Sequence, residues 1–387
     1  MNPIPLTLGV EEEYQIIHPE TRNLHSYIQQ FLDQGQQIFP EGTLKPEFMQ
    51  SQVEVGSRVC RNIQEVRHEL QRLRSAVGGI ARDNGLQIAS ASTHPFARWH
   101  QQDVTAGERY RQLLDQMQSV AAQLLIFGYH IHIGFGGPVN DDLKIDVMNQ
   151  LRYFLPHVLA LSTSSPFWQG RKTGLKSYRS VVFEMLPRTG MPPRFNSFGD
   201  YEAFVNLLQK VGTIGKDHKT GKGDATKIWW DVRPHPTFGT LEVRIPDLCT
   251  KVEEAVCIAA VIQSIVKMLM DLRNRNQSWR VYRSHMIVEN KWRAMRYGIE
   301  GNLVDFGKEE EVPTGFLAIE LMQLLEKYAK ELGCWDEVRY IETIIKEGTS
   351  ADRQIRTYDE ALRTGAAEED ALKAVVDQLV RETLAGV

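Results

Sequence analysis

The sequence predicts an α+β fold: an antiparallel sheet with helices packed on one face, its other face open as a concave site. Three observations carry this. Four segments alternate apolar and polar residues with a period of two, the pattern of half-buried strands. The connection Pro234–Gly239, between strand candidates at 228–233 and 240–245, is too short for a parallel crossover. Helical stripes fill the other intervals, and beyond Lys251 the chain reads as helices with no strand signal.

The first strand candidate is Gly9–Ile16, where Val10, Tyr14 and Ile16 suit a half-buried pleated surface and Glu11, Glu13 and Gln15 share one face. Met49–Val55 is the second, with Gln50, Gln52 and Glu54 on one side. From Asn62 to Asn84, Ile63, Val66, Leu70, Leu73, Val77 and Ile80 form a helical stripe. Leu86–Thr93 reads as a strand, Thr105–Phe127 as a helix, and Gly128–Gly134 as a strand presenting His130 and His132 side by side. Asp141–Ser162 is a further helix, Pro166–Arg194 is loop-rich, and Phe204–Val211 is a short helix. Ile228–Arg233 and Thr240–Ile245 make an antiparallel hairpin. Its second strand turns Leu241, Val243 and Ile245 to one face and Thr240, Glu242 and Arg244 to the other.

The polar faces point to chemistry. On a strand rising ~3.3 Å per residue, the carboxylates of Glu11 and Glu13 stand about 7 Å apart. Like charges so placed repel unless a cation sits between them, and unpaired buried charge is costly. Taken alone, this segment also fits an edge strand whose acidic face meets water. Recurrence of carboxylate, imidazole or arginine on the other strands favours a divalent cation, since hard oxygen ligands suit Mg²⁺ or Mn²⁺.

His130-Ile131-His132 admits three readings: a zinc pair as in metal-dependent amidohydrolases, part of a Mg²⁺ site, or a hydrogen-bonded core pair. Its mid-chain position, and the excess of glutamate over histidine on the polar strands, favour the hard metal. Arg179, Arg233 and Arg244 are the arginines nearest these segments, and arginine is the preferred planar donor for carboxylate and phosphate. A plain ion pair with Glu242 is the structural alternative for Arg244. Gly212–Gly223 does not satisfy GxxxxGK[ST], and both a surface turn and a phosphate-covering flap stay open for it.

The formal charge of −4 argues against a nucleic-acid binder that works through bulk electrostatics. No uninterrupted apolar run approaches the ~20 residues that span a bilayer, and Met1–Leu8 lacks the regions of a signal peptide. Cys60, Cys249, Cys257 and Cys334 are scattered with no CxxC pair. Reduced thiols, a cytoplasmic location, and no nucleic-acid or membrane partner are the expectations.

Gly9-Val10-Glu11-Glu12-Glu13, Gln52-Val53-Glu54, Gly128–Gly134, Trp230–Pro234 and Gly239–Arg244, in this order, resemble the type 2 glutamate–cysteine ligase family, the bacterial carboxylate–amine ligases. Thr93-His94-Pro95-Phe96 and Ser164-Ser165-Pro166-Phe167 are similar to signatures of that family. The resemblance covers most of the chain and is weakest after about residue 310. It implies a glutamine-synthetase-like fold, with the antiparallel sheet curved into an open funnel holding Mg²⁺ and ATP, helices on its outer face and a helical C-terminal part. It further implies that Glu11 and Glu13 are paired first-strand metal ligands, Glu54 a second-strand ligand and Glu242 a late-strand ligand. His132 matches the histidine near the nucleotide phosphates, and Arg244 the arginine on phosphate or substrate carboxylate. Glu47, seven residues before Glu54, faces the metals too if a bulge or strand start intervenes.

The expected function is ATP-dependent ligation of a small-molecule carboxylate to an amine through an acyl phosphate, glutamate–cysteine ligase-like and resembling the weakly active short relatives. Two or three Mg²⁺ (or Mn²⁺) ions are the expected cofactors, with Arg179 and Arg233 as substrate contacts. The alternatives are a metal-dependent amide hydrolase using the same Glu/His cluster without ATP, and a binding relic without turnover. A catalytic sheet region over 1–250 and a helical region over 251–387 form one continuous domain in this reading, with a homodimer as the oligomer.

Overall fold

Strand β1 (Thr7–Ile17) is the spine of a seven-stranded sheet in the computed structural model, which describes residues 5–136, 141–216 and 221–387. The other strands are β2 (Leu44–Pro46), β3 (Gln52–Gly56), β4 (Gln87–Ala89), β5 (Tyr129–Gly134), β6 (Val232–Pro234) and β7 (Leu241–Val243). Their order is β6-β7-β5-β1-β3-β2, with β4 also paired to β1. Every pairing in this sheet is antiparallel, as the alternating patterns and the short 234–239 connection predict.

The apolar side of β1 packs beneath helices. Asn62 caps the helix Ile63–Asp83, its side chain accepting from the Glu65 amide at 2.9 Å. Val66, Leu70, Leu73 and Val77 of that helix are buried, each worth roughly 1.5–3 kcal/mol if taken fully out of water. The middle acid of the Glu11–Glu13 run falls on this side. Glu12 is buried against Arg74 of the helix, Oε1 to Nη2 at 2.5 Å and Oε2 to Nε at 3.0 Å. The Tyr14 hydroxyl donates to the same carboxylate at 2.5 Å. Arg74 also donates to the carbonyls of Cys249, Thr250 and Thr383, so one ion pair ties the sheet to both the 249–250 segment and the C-terminal helix. Val252–Asn274 is long and apolar enough to cross a membrane, yet 83% of its most apolar stretch is buried within the fold. It is a core helix, as its interior Gln263, Ser264 and Lys267 suggest.

Several elements depart from the sequence pattern. Thr105–Phe127 is not one helix but two, Glu108–Met117 and Ser119–Ala122, broken at Gln118, whose φ of 51° no right-handed helix accommodates. Asp141–Ser162 likewise divides into Asp141–Leu151 and Leu155–Ser162, because the ring of Pro156 would clash with the carbonyl four residues earlier. The short helix at 204–211 begins earlier, at Phe198, where Ser197 caps it by accepting from the Asp200 amide. Ile28–Ile38 is helical, with Ile28, Phe31 and Gly35 on its buried stripe, a spacing hidden among five glutamines.

The C-terminal third is mostly helix, through Ser284–Tyr297, Thr314–Leu332, Ser350–Arg363 and Glu368–Thr383. The expectation of no strand there is corrected by an antiparallel hairpin, Asn302–Asp305 with Glu310–Pro313. Only Leu303 of its eight residues is buried, so the period-two signal is too short to read. The Asp305 carboxylate shapes its turn by accepting from the amides of Gly307 and Lys308. Of the glycine-rich stretch 212–223, residues 217–220 lie outside the described residues.

Candidate active site

Strand register assembles the site. Glu13 stands opposite Glu54, and Glu54 opposite Lys45. Glu11 faces His130 and Gly9 faces His132, while His132 pairs in turn with Glu242, and Glu242 with Arg233. Because side chains alternate on every strand, one antiparallel register puts all these polar groups on one surface. Glu47 follows β2 directly and reaches the surface from the β2–β3 turn, which supplies the strand boundary that strict alternation required.

The carboxylates expected to share one centre sort into two. Glu11, His132 and Glu242 offer ligand atoms within 4.8 Å of one another, and so do Glu13, Glu47 and Glu54. In the first group, His132 Nδ1 lies 2.9 Å from Thr240 Oγ1. Its Nε2 is buried without a hydrogen-bond partner, 3.6 Å from a Glu11 oxygen. An imidazole nitrogen left bare beside two carboxylates, its other nitrogen fixed by a hydroxyl, fits a divalent cation. Burial alone would raise the Glu11 carboxyl, but His130, His132 and Lys45 hold it well below the usual range. Glu242 is likewise held low against its burial by the guanidinium groups of Arg233 and Arg244.

The second group has the opposite electrostatics. Burial, with the Glu54 charge adding to it, pushes the Glu13 carboxyl up to about 7. Burial and then the Glu11 charge push Glu54 to about 8, and burial followed by the Glu13 charge raises Glu47. Three crowded carboxylates that resist ionisation are what a divalent cation would relieve. Glu13 is oriented by two donors, Gln52 Nε2 at 2.9 Å and the Gly128 amide at 2.6 Å.

Between the groups sits Lys45, which sequence reasoning missed. Its Nζ is 3.0 Å from Glu11 Oε1 and 2.6 Å from Glu54 Oε1. Against its partial burial, the charges of Glu54 and Glu11 hold the ammonium above its ordinary value. A lysine on a three-residue strand carries no signal until pairing with β3 sets it beside Glu54.

Two of the three expected arginines keep capacity for a ligand. Arg179 is buried, donates to the carbonyls of Arg244 and Ile245, and has an Nε with no partner. Arg244 pairs with Glu242 and also keeps an unpartnered Nε. Arg233 is different. It holds Glu242 through Nε at 2.8 Å and donates to the carbonyls of Ala225, Thr226 and Ile228. Most of its donors are committed to Glu242 and the 225–228 turn, which gives it a positioning role, while it also lines the smaller cavity.

The surface opens into two cavities. One, of about 310 Å³, is walled by Glu13, Glu47, Glu54, Arg179 and Arg244, with Arg109 and Tyr110 of the helix Glu108–Met117 on its rim. That helix buries none of its own residues and is tied down by the Tyr110 hydroxyl, which donates to the Pro46 carbonyl at 2.9 Å. The other, of about 1270 Å³, is bordered by His132 and Thr240 and by the basic side chains Arg58, Arg72 and Lys144. Glu11, Lys45 and Phe238 line both. The two signature-like motifs are framework: His94 Nδ1 accepts from the amides of Phe96 and Ala97, and Ser164 and Ser165 donate to buried Asp247.

Residues 7–378 match the family model described as glutamate–cysteine ligase family 2. The chain belongs to that family. A relative from Herpetosiphon aurantiacus, provisionally named glutamate–cysteine ligase 2, is 52% identical over 383 residues, covering 99% of this chain and 94% of its own. One of the same name from Chloroflexus aggregans is 51% identical over 381 residues, covering 98% and 93%. Among solved structures, the glutamate–cysteine ligase of Francisella tularensis in complex with AMP superposes with a TM-score of 0.66 at 13% identity, over 99% of this chain and 89% of that one. A bifunctional glutathione synthetase from Pasteurella multocida gives 0.65 at 14%, over 98% of this chain and 52% of that one. At such identities the likeness establishes a shared fold, mixed helix and antiparallel sheet. By family the chain is an ATP-dependent carboxylate–amine ligase, and the amide-hydrolase alternative is not favoured.

Proposed function

We propose that this chain phosphorylates a carboxylate with ATP and passes the resulting acyl group to an amine, with glutamate the first acid and cysteine the first amine to test. The observation that carries the reading is the pair of cation-type clusters, Glu13/Glu47/Glu54 in the smaller cavity and Glu11/His132/Glu242 where the two cavities meet, with Glu11 and Lys45 lining both. In this reading the sheet is the wall of the funnel, and the two cavities are its two ends.

The larger cavity takes the nucleotide, its phosphates drawn by Arg58, Arg72 and Lys144. The AMP held by the Francisella ligase supports a nucleotide site in this fold. The smaller cavity takes the acid, whose non-reacting carboxylate meets the guanidinium groups of Arg179 and Arg244 that wall it. Glu11, His132 and Glu242 would hold Mg²⁺ or Mn²⁺ where the two cavities meet, and Glu13, Glu47 and Glu54 on the acid side. Bound there, such ions neutralise phosphate and carboxylate oxygens and so lower the charge barrier to phosphoryl transfer.

A carboxylate oxygen of the acid attacks the γ-phosphorus as the bond to the β-phosphate oxygen breaks and ADP leaves. The amine nitrogen then attacks the acyl carbon, inorganic phosphate departs with the electron pair, and the nitrogen loses a proton to complete the amide. Arg244 lies against Glu242 at the edge of the acid cavity and donates to anionic oxygens there, while Arg233 keeps Glu242 in place. The test is capture of the acyl phosphate. With Mg·ATP, glutamate and hydroxylamine, hydroxamate should accumulate in step with ADP and stop on chelation. Cleavage of an amide without nucleotide, and no ATP-dependent hydroxamate from a broad panel of acids, would overturn the reading.

A further inference from the structure

We infer that Lys45 is a catalytic residue that carries positive charge to the γ-phosphoryl group as it crosses from the nucleotide cavity to the acid cavity. The inference rests on the ligase reading above and adds a residue to it. The γ-phosphoryl must leave one cavity and arrive in the other, so it passes the residues common to both. Those are Glu11, Lys45 and Phe238, and Lys45 is the cation among them.

The geometry suits the role. Lys45 Nζ lies 3.0 Å from Glu11 of one cluster and 2.6 Å from Glu54 of the other, bridging them where the path must run. Its side chain is 37% exposed, so the ammonium is held by the carboxylates yet open to the cavities. Pro46 follows it directly, and the Tyr110 hydroxyl fastens the Pro46 carbonyl at 2.9 Å. The base of the lysine is thus fixed while its four-carbon stem can follow a moving charge. Divalent ions held by Glu11 and Glu54 would compete for the oxygens that Lys45 now pairs with and so free its donors for phosphate oxygens.

The step balances without any proton exchange at Lys45. The carboxylate oxygen of the acid forms a bond to the γ-phosphorus, and the bond from that phosphorus to the β-phosphate oxygen breaks, its electron pair staying on ADP. Lys45 remains an ammonium throughout and donates hydrogen bonds to the equatorial oxygens, where preorganised charge counts most.

Lys45→Met and Lys45→Arg test this in two arms. In turnover, K45M should lower kcat for ATP-dependent hydroxamate formation about 100-fold, with the Mg²⁺ titration midpoint moved less than about threefold and K45R recovering about tenfold. In binding, wild-type protein with Mg·ADP should gain affinity when aluminium fluoride is added as a phosphoryl mimic, and K45M should lose that gain while keeping its Mg·ADP affinity. A lysine that serves only as a counterion for the metal-free carboxylates predicts the reverse: altered Mn²⁺ affinity, with kcat at saturating metal and the aluminium fluoride gain unchanged. That result overturns the proposal. If the wild-type protein forms no hydroxamate at all, the ligase reading fails by itself, and the aluminium fluoride arm still decides for or against Lys45.

Discussion

Glu54 and Arg179 show what single residues contribute. Glu54 is one of three buried carboxylates crowded within 4.8 Å, its carboxyl pushed up to about 8 by burial and then by the Glu11 charge, against the pull of Lys45. Glu54→Gln should leave the metal-free protein about as stable as wild type, since the repulsion relieved from Glu11 and Glu47 offsets the ion pair lost to Lys45. It should abolish the stabilisation that Mg²⁺ gives the wild type and lower ligation at least 100-fold. Thermal melts with and without Mg²⁺, beside hydroxamate formation, check both; a wild-type metal response in the variant refutes the assignment. Arg179 walls the smaller cavity, proposed to take the acid, and Lys has one nitrogen where Arg has a planar fork. Arg179→Lys should raise KM for the acid roughly 10- to 100-fold, the worth of a charged hydrogen bond, and change kcat less. An unchanged KM would remove Arg179 from the acid site.

At the scale of elements, the helix Glu108–Met117 is the part the sequence described least well. None of its residues is fully buried, it rims the smaller cavity with Arg109 and Tyr110, and it ends at Gln118 with φ 51° and ψ −133°. Glycine fits that backbone far better than any side-chain-bearing residue. Gln118→Gly should stabilise the protein by up to about 1 kcal/mol, read as a urea midpoint shift, and a loss of stability would mean the turn is not strained. The strands were legible because their alternation is long and clean: Glu11, Glu13, His130, His132 and Glu242 lie on the polar face their spacing implies, and Arg244, one residue past its strand, pairs with Glu242 there. The breaks at Gln118 and before Pro156, and the hairpin 302–313, escaped notice. An apolar stripe continues across a helix break, and a strand with one buried residue has no period.

For the whole molecule, acid sensitivity follows from buried neutral histidine. His94 accepts two backbone amides at Nδ1 and has its other nitrogen 2.9 Å from the Arg22 carbonyl, so the neutral ring satisfies every neighbour. Burial lowers its pKa from 6.5 to about 4. Between those values the unfolded chain binds more protons than the folded one, so stability falls as pH drops through about 6.5 towards 4 and is flat above. From pH 7 to pH 5 this one group removes about 2 kcal/mol. His94→Asn keeps an acceptor for the turn and cannot titrate, so urea unfolding at the two pH values should show a smaller loss by about that amount. An equal loss in both proteins would place the sensitivity elsewhere.

The sequence alone determined which strand residues are candidates for the site and which face of each strand they share. Alternation is a local property, set by backbone geometry within a few residues. It also determined the antiparallel class, through connections too short to cross over. Tertiary structure decided how those residues are grouped. Register split one expected cluster into Glu11/His132/Glu242 and Glu13/Glu47/Glu54 and set Lys45 between them. It also committed Arg233 to Glu242 and to backbone carbonyls while leaving Arg179 a free donor. Such distinctions depend on which strands pair and in what register, contacts between residues tens to hundreds of positions apart, and no local pattern encodes them.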